Sequence, residues 1–317
     1  MWSQRTRAVL AWFAVPLTTV VFAAAAHAQS VDLVAAGSLN PALTQVADAF
    51  TATTGIAVTE TYMASGTLRQ EIEAGLRPDV FASADTASPQ RLSQEGLAGP
   101  VQIFGSNRVV AVVRSGFGQQ VTRSNLLSVL LDPATRIGTS TPVADPLGDY
   151  TQQIFETAGT IVPGATATLE AKADELVANP SAPPVPAGAN SLVYFLDTKP
   201  TVDIFIAYVT SAVAARALDP TLQIVALPRK LSITAPYGLT VLNDASPDSQ
   251  RFADSSCLQG QQILASFGFT PPCRSSASGA QPTAGNDQQQ GNADNSLPVC
   301  GAGRAHHHQA AENAATP

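Results

Sequence analysis

The chain has 317 residues, of which 17 are Lys or Arg and 24 are Asp or Glu, a formal balance of −7. Only 13% of it is charged and 45% is hydrophobic, which excludes both a nucleic-acid protein built on a basic footprint and a wholly disordered chain. The histidines are His27, His306, His307 and His308, so between residues 28 and 305 there is no Ser-His-Asp or Cys-His site, no His-ligated zinc and no His general base.

Residues 1–28 read as a secretory signal: Arg5 and Arg7 precede an apolar stretch over 8–26, and Ala26-His27-Ala28 fits the A-x-A cleavage pattern. The competing reading is an uncleaved anchor, since the apolar stretch approaches spanning length. Cleavage after Ala28 implies an exported, periplasmic protein with a balance of −9 once Arg5 and Arg7 are gone.

Strand and helix signals then alternate. Residues 31–36 form a short apolar run suited to a buried parallel strand. Asn40 offers an N-cap with Pro41 behind it, and Leu43, Val46 and Phe50 recur at helical spacing before Gly55. Strand 56–62 follows, then a helix that Ser65 is placed to cap, with Leu68 and Ile72 on one face. Next come strand 79–83, helix 89–95 and the apolar strand 109–113. The pattern resumes with strand 136–139, helices 147–157 and 191–196, strands 202–209, 224–227 and 237–241, and a helix near Ser246-Pro247. The Pro-rich 179–188 stretch reads as a surface loop. Such alternation predicts an α/β fold with mostly parallel sheets.

In an oxidising compartment a Cys257–Cys273 disulfide is the economical pairing, stabilising by ~3 kcal/mol on the chain-entropy account; three unpaired thiols, with Cys300, are the alternative. Residues 274–317 collapse into Ser, Ala, Gly, Gln, Asn and Pro and are expected to be disordered. Three adjacent histidines in such a tail give adventitious metal affinity rather than a closed site.

Ligands of open α/β sheets bind beyond the carboxyl ends of strands. The strand-to-helix turns there carry Ser38; Ser65, Gly66 and Thr67; Thr139, Ser140 and Thr141; and Asn190 and Ser191. Hydroxyls and orphan N–H groups at helix starts are the chemistry of an anion site, and ordinary capping is the competing explanation for each turn taken alone.

Two motifs carry a family resemblance: Val34-Ala-Ala-Gly-Ser-Leu-Asn-Pro-Ala-Leu, and Ala64-Ser-Gly-Thr-Leu-Arg-Gln-Glu-Ile-Glu-Ala-Gly-Leu-Arg-Pro-Asp-Val-Phe-Ala-Ser-Ala-Asp85. Together with Asn107-Arg-Val-Val-Ala-Val-Val, Arg136-Ile-Gly and the 202–212 segment, they resemble the periplasmic molybdate-binding proteins of ABC transporters, over essentially all of 31–270. The resemblance implies a type II periplasmic-binding-protein fold of two α/β lobes joined at a hinge. Lobe I is expected over 29–108 plus 213–273 and lobe II over 109–212. It also implies a monomer that holds molybdate or tungstate, needs no other cofactor and hands its ligand to a membrane ABC permease. Carried onto matching positions, the oxyanion ligands are the Ser38 and Ser65 hydroxyls and amides, backbone N–H groups at Leu147 and near Asn190, and the Tyr208 hydroxyl. Asp145 resembles an aspartate that completes the metal centre in archaeal tungstate/molybdate binders; the alternative is that it caps the helix begun at Pro146. Sulfate, phosphate or an organic anion remains the alternative ligand. An exported enzyme is the more distant one, because no Lys stands beside a motif serine and no G-x-S-x-G, H-E-x-x-H or P-loop occurs.

Overall fold

The computed structural model describes residues 30–272. The 1–28 segment expected to be a signal, Cys273, Cys300 and the 274–317 tail lie outside the described residues. Cys257 is disulfide-bonded, and Cys273, the partner expected for it, lies outside the described residues.

The chain begins with β1 (Ser30–Ala36), whose buried Val31, Leu33, Val34, Ala35 and Ala36 bear out the apolar run as a central strand. A 3-10 turn (Gly37–Leu39) intervenes before α1 (Asn40–Thr54), so Asn40 is the first helical residue and makes no capping side-chain bond. Ala42, Leu43, Val46, Ala47 and Phe50 of α1 bury the face that the spacing predicted. Then come β2 (Ala57–Met63), α2 (Ser65–Glu73), β3 (Val80–Ser83), α3 (Ala87–Gln94) and the long β4 (Gln102–Val113).

The second half adds α4 (Leu126–Leu131), β5 (Ile137–Ser140), α5 (Pro146–Ile161), α6 (Ala165–Lys172) and β6 (Ala173–Val177). One turn, α7 (Ser191–Val193), runs into a π turn (Tyr194–Thr198) before β7 (Ile204–Tyr208) and α8 (Val209–Leu218). The remainder is β8 (Gln223–Ala226), β9 (Thr234–Val241), α9 (Pro247–Leu258) and α10 (Gly260–Ser266).

One sheet runs in the order β2-β1-β3-β9-β4-β7-β5-β6, with β8 paired to β4. Pairing is parallel in the two arms, where helices cross over between strands: β2-β1-β3 on one side and β7-β5-β6 on the other. It is antiparallel at the centre, where β4 and β9 carry the chain between the arms. β4 serves both arms, since Gln102–Arg108 faces β9 and Val109–Val113 faces β7.

The lobe boundaries expected at 108/109 and 212/213 fall within continuous elements, and β4 changes partner from β9 to β7 between Arg108 and Val109. β4 crosses the first as a continuous strand. α8 crosses the second, burying Thr210, Ala212 and Ala215, and β8, inside the 213–273 stretch expected in lobe I, pairs with Val110–Val113 in the second arm. The physical reason is local burial: the small side chains of α8 let it lie close on β4 and β7, and the short strand after it has an unpaired β4 edge to join.

A buried carboxylate pins the second arm. Asp203, 4% exposed, accepts from Arg114 Nε (2.7 Å) and from Arg136 N, Nε and Nη2 (2.9, 3.1 and 2.9 Å), tying the start of β7 to the end of β4 and the start of β5. Burial alone would raise its carboxyl, but the Arg136 and Arg114 hydrogen bonds outweigh that and hold it at about 2. A depressed folded value stabilises above the unfolded carboxylate value, and that contribution is lost as pH falls through about 2. Asp203→Asn is therefore expected to cost about 2 kcal/mol near neutral pH and to flatten the acid limb of the stability curve. Chemical denaturation of both proteins from neutral to strongly acid pH checks this, and parallel curves would refute it.

Candidate functional site

A cleft of ≈ 670 Å³ opens at the carboxyl ends of β1, β2, β5 and β7, between the two arms of the sheet. Ser38, Ser65, Leu147, Asn190, Tyr208 and Asp145 all line it. The sequence placed these residues on separate turns, and the fold brings the turns to one cavity.

Ser38 sits in the 3-10 turn after β1. Its Oγ is 2.8 Å from the hydroxyl of Tyr237, which also accepts from Asn107 Nδ2 at 3.3 Å. With Asn107 donating to Tyr237, the tyrosine proton can go to Ser38, and the serine proton is left for the cleft. Tyr237 is fully buried on β9 and Asn107 1% exposed on β4, so these two residues orient the first hydroxyl. Nothing in its sequence position singles out Tyr237. Its orienting role was hidden because it depends on β9 lying against β4, while a polar Asn107 heading an all-apolar run was the available signal.

Ser65 opens α2 and is 1% exposed. It does not cap its helix; its Oγ accepts from the Ala84 N–H at 3.0 Å, just past β3. A hydroxyl fixed as an acceptor retains its own proton for donation.

Across the cleft, Asp145 is the N-cap of α5 and its Oδ1 accepts from Leu147 N at 3.0 Å, with Pro146 in the first turn. The capping reading of Asp145 therefore holds. The Leu147 N–H expected to reach an oxyanion is already donated to this carboxylate, because a β-region Asp before a helix folds back on the second amide. Burial raises the Asp145 carboxyl, the Leu147 N–H and the adjacent Ser140 hydroxyl oppose the rise, and Asp149 and Asp85 add to it. Asn190 caps α7 in the same way, accepting from Leu192 N (3.0 Å) and Val193 N (3.2 Å).

Tyr208 ends β7, is 3% exposed, and its hydroxyl has no hydrogen-bond partner among the described residues. Its ring is held edge-on by Tyr237 and Tyr150, with centroids 5.7 and 6.4 Å away. Burial pushes its ionisation far up, so it stays a neutral donor. Tyr194, also in the Asn190 segment, packs against Phe195 instead.

The arms touch at the mouth of the cleft, where Thr67 N–H of α2 donates to Ala144 O at 3.1 Å. Val143 beside it holds φ 68°, in the left-handed region that β-branched residues avoid, with its N–H bound by Asp149 Oδ1 at 2.9 Å. Among the described residues, no Lys, Arg or His lines the cleft, no cluster of three or more His, Cys, Asp or Glu is placed to hold a metal ion, and no helix is long and apolar enough to cross a membrane.

A two-arm α/β fold with a hydroxyl-lined cleft between its arms suits the capture of a small ligand. The profile of the bacterial extracellular solute-binding proteins matches residues 31–270, and the chain belongs to that family. The Pasteurella multocida protein PM1146 is 29% identical over 243 residues, covering 75% of this chain and 98% of that one. The molybdate-binding protein ModA of Mycobacterium tuberculosis is 32% identical over 138 residues, 41% of this chain and 53% of ModA. Among solved structures, the sulfate-binding protein SubI of Mycobacterium tuberculosis H37Rv superposes with a TM-score of 0.64 at 19% identity, covering 77% of this chain and 87% of SubI. The fold is thus that of the type II periplasmic binding proteins, and the family's role is to present a small solute to an ABC importer.

Proposed function

We propose that the protein captures molybdate or tungstate between its lobes and delivers it to an ABC permease, acting as an exported monomer. The observation that carries the reading is the donor chemistry of the cleft. Ser38, Ser65 and Tyr208 present neutral hydroxyls at strand ends, and no cationic side chain lines the cavity among the described residues. A tetrahedral dianion with no proton to donate at neutral pH is satisfied by such donors without a counter-charge. The partial likeness to ModA supports the same ligand. The −7 balance opposes long-range steering of an anion, so selectivity rests on cavity size and donor placement.

Calorimetry with molybdate, tungstate, sulfate and phosphate tests the reading. Tight binding of the first two and weak binding of the others is expected; sulfate binding as tight as molybdate would end it. A second reading, a small organic anion bearing an oxyanion group, is favoured by one observation. The ≈ 670 Å³ cavity extends past the hydroxyls along Val177, Leu192, Phe205, Ala214 and Leu218, farther than one bare tetrahedron fills.

Asp145 gives the site a pH dependence. Because its carboxyl is raised, falling pH neutralises it early, removing a charge that repels the ligand and supplying a proton that can be donated. Dianion affinity is expected to increase as the pH falls through the raised value of the Asp145 carboxyl. Asp145→Asn should lose most of this dependence, retaining the titration of the ligand and of Asp149, whose carboxyl burial also raises. Equal slopes in dissociation constant against pH for the two proteins would remove Asp145 from the electrostatics of the site.

A further inference from the structure

Six buried side-chain atoms among the described residues lack a hydrogen-bond partner, and two of them belong to residues lining the cleft: Tyr208 Oη and Ser140 Oγ. Ser140 is the last residue of β5, 1% exposed, at the same kind of strand end that positions Ser38 and Ser65. Its hydroxyl lies beside the Asp145 carboxylate and favours the ionised form there, but the approach falls short of hydrogen-bond geometry, so the Oγ has no well-formed partner. A buried hydroxyl left unpaired is a net cost to the fold, and a serine at a buried strand end would be replaced by alanine at no loss if packing were its purpose. A ligand in the cleft supplies the missing acceptor.

We propose that Ser140 is an oxyanion-binding residue of this cleft, its hydroxyl filling the position in the donor set that the Leu147 amide, committed to Asp145, does not fill. The inference rests on the oxyanion reading above and adds to it. With Ser140 and Tyr208 on the second arm and Ser38 and Ser65 on the first, each arm contributes two hydroxyls. The ligand is then gripped by neutral donors from both sides, which couples its binding to approach of the arms.

The test uses the full chain with two variants, Ser140→Ala and Thr135→Val. Thr135 Oγ1 is also buried and unpaired, but it does not line the cleft. Titration with molybdate, tungstate, sulfate and phosphate is combined with melting curves in the absence of ligand. Ser140→Ala is expected to bind the preferred oxyanion roughly 10- to 100-fold more weakly, the loss typical of one hydrogen bond to a charged acceptor. Its ligand-free melting temperature should equal or exceed that of the wild type, since removing an unpaired hydroxyl relieves a cost. Thr135→Val should bind as the wild type does. Unchanged affinity in Ser140→Ala would overturn the proposal, as would a ligand-free variant that melts lower or fails to fold, because either result assigns the hydroxyl a structural or no role. If the wild type binds none of the four anions, the oxyanion reading falls and takes this inference with it. A wild type that binds while Ser140→Ala binds equally well sinks the inference alone.

Discussion

Gly66→Ala should leave the protein folded and cost it at least 100-fold in ligand affinity, about 3 kcal/mol. A Cβ on Gly66 would stand 1.9 Å from Val143 O and 2.8 Å from Ala144 O. Both obstacles are backbone, so no side-chain rotation relieves the clash. Nor can the strand-to-helix segment carrying them retreat freely, since Val143 N–H is held by Asp149 and Asp145 is committed to the start of α5. The remaining outlet is for the arms to separate, losing the Thr67–Ala144 hydrogen bond. Within α2 itself alanine is a better helix former than glycine by up to ~1 kcal/mol, so the ligand-free melting temperature should hold or rise slightly. Apparent affinity falls because the closed, binding-competent population shrinks. Calorimetry and small-angle scattering with and without ligand report the two halves of this expectation. A variant that still binds tightly, or still contracts on ligand addition, would show that the 66–144 contact is incidental to closure.

Much of this architecture was legible because the signals were short and local. Apolar runs such as the one ending at Ala36, punctuated by Gly55, Gly75 and Gly96, give strands and helices in the observed order. Of the elements that sequence reasoning passed over, α4 is apolar but only six residues long, β6 buries only Leu176, and α6 and α8 are alanine-rich helices that pack by close approach rather than by a bold apolar stripe. Their membership in the second arm is decided by which strand edge is free, a property of the assembled sheet. The same limit applies at the site. Position on a strand-end turn nominated Ser38, Ser65, Ser140 and Asn190, and all four line the cleft. What the turns could not reveal is where each polar atom is already committed. Ser65 takes the Ala84 amide rather than its own helix start, Asp145 consumes the Leu147 amide, and Ser140 is left without a well-formed hydrogen bond. Capping chemistry and anion-binding chemistry use the same atoms, so a sequence cannot say which use has been made until donor and acceptor are placed together.

That competition makes the paired serine variants informative. Ser38→Ala and Ser65→Ala each remove one hydroxyl and keep the backbone amide, and each should weaken molybdate binding by roughly 1.5–3 kcal/mol. Their effects on the ligand-free protein should differ. Ser65 Oγ is the acceptor for a buried Ala84 N–H, so its loss strands that amide and should lower stability by about 1–3 kcal/mol. Ser38→Ala leaves Tyr237 still bonded to Asn107, so its stability cost should be smaller. Because both hydroxyls face one ligand, the double variant should lose less affinity than the two single losses added together: once one donor is gone the anion can shift toward those that remain, and the second loss is partly discounted. Titration of the wild type, both single variants and the double with molybdate, alongside denaturation without ligand, separates binding from stability. Additive losses would show that the two hydroxyls act on the ligand independently and would refute the coupling argued for them. Wild-type affinity in all three variants would remove both hydroxyls from the site and leave Ser65 as a purely structural acceptor for Ala84.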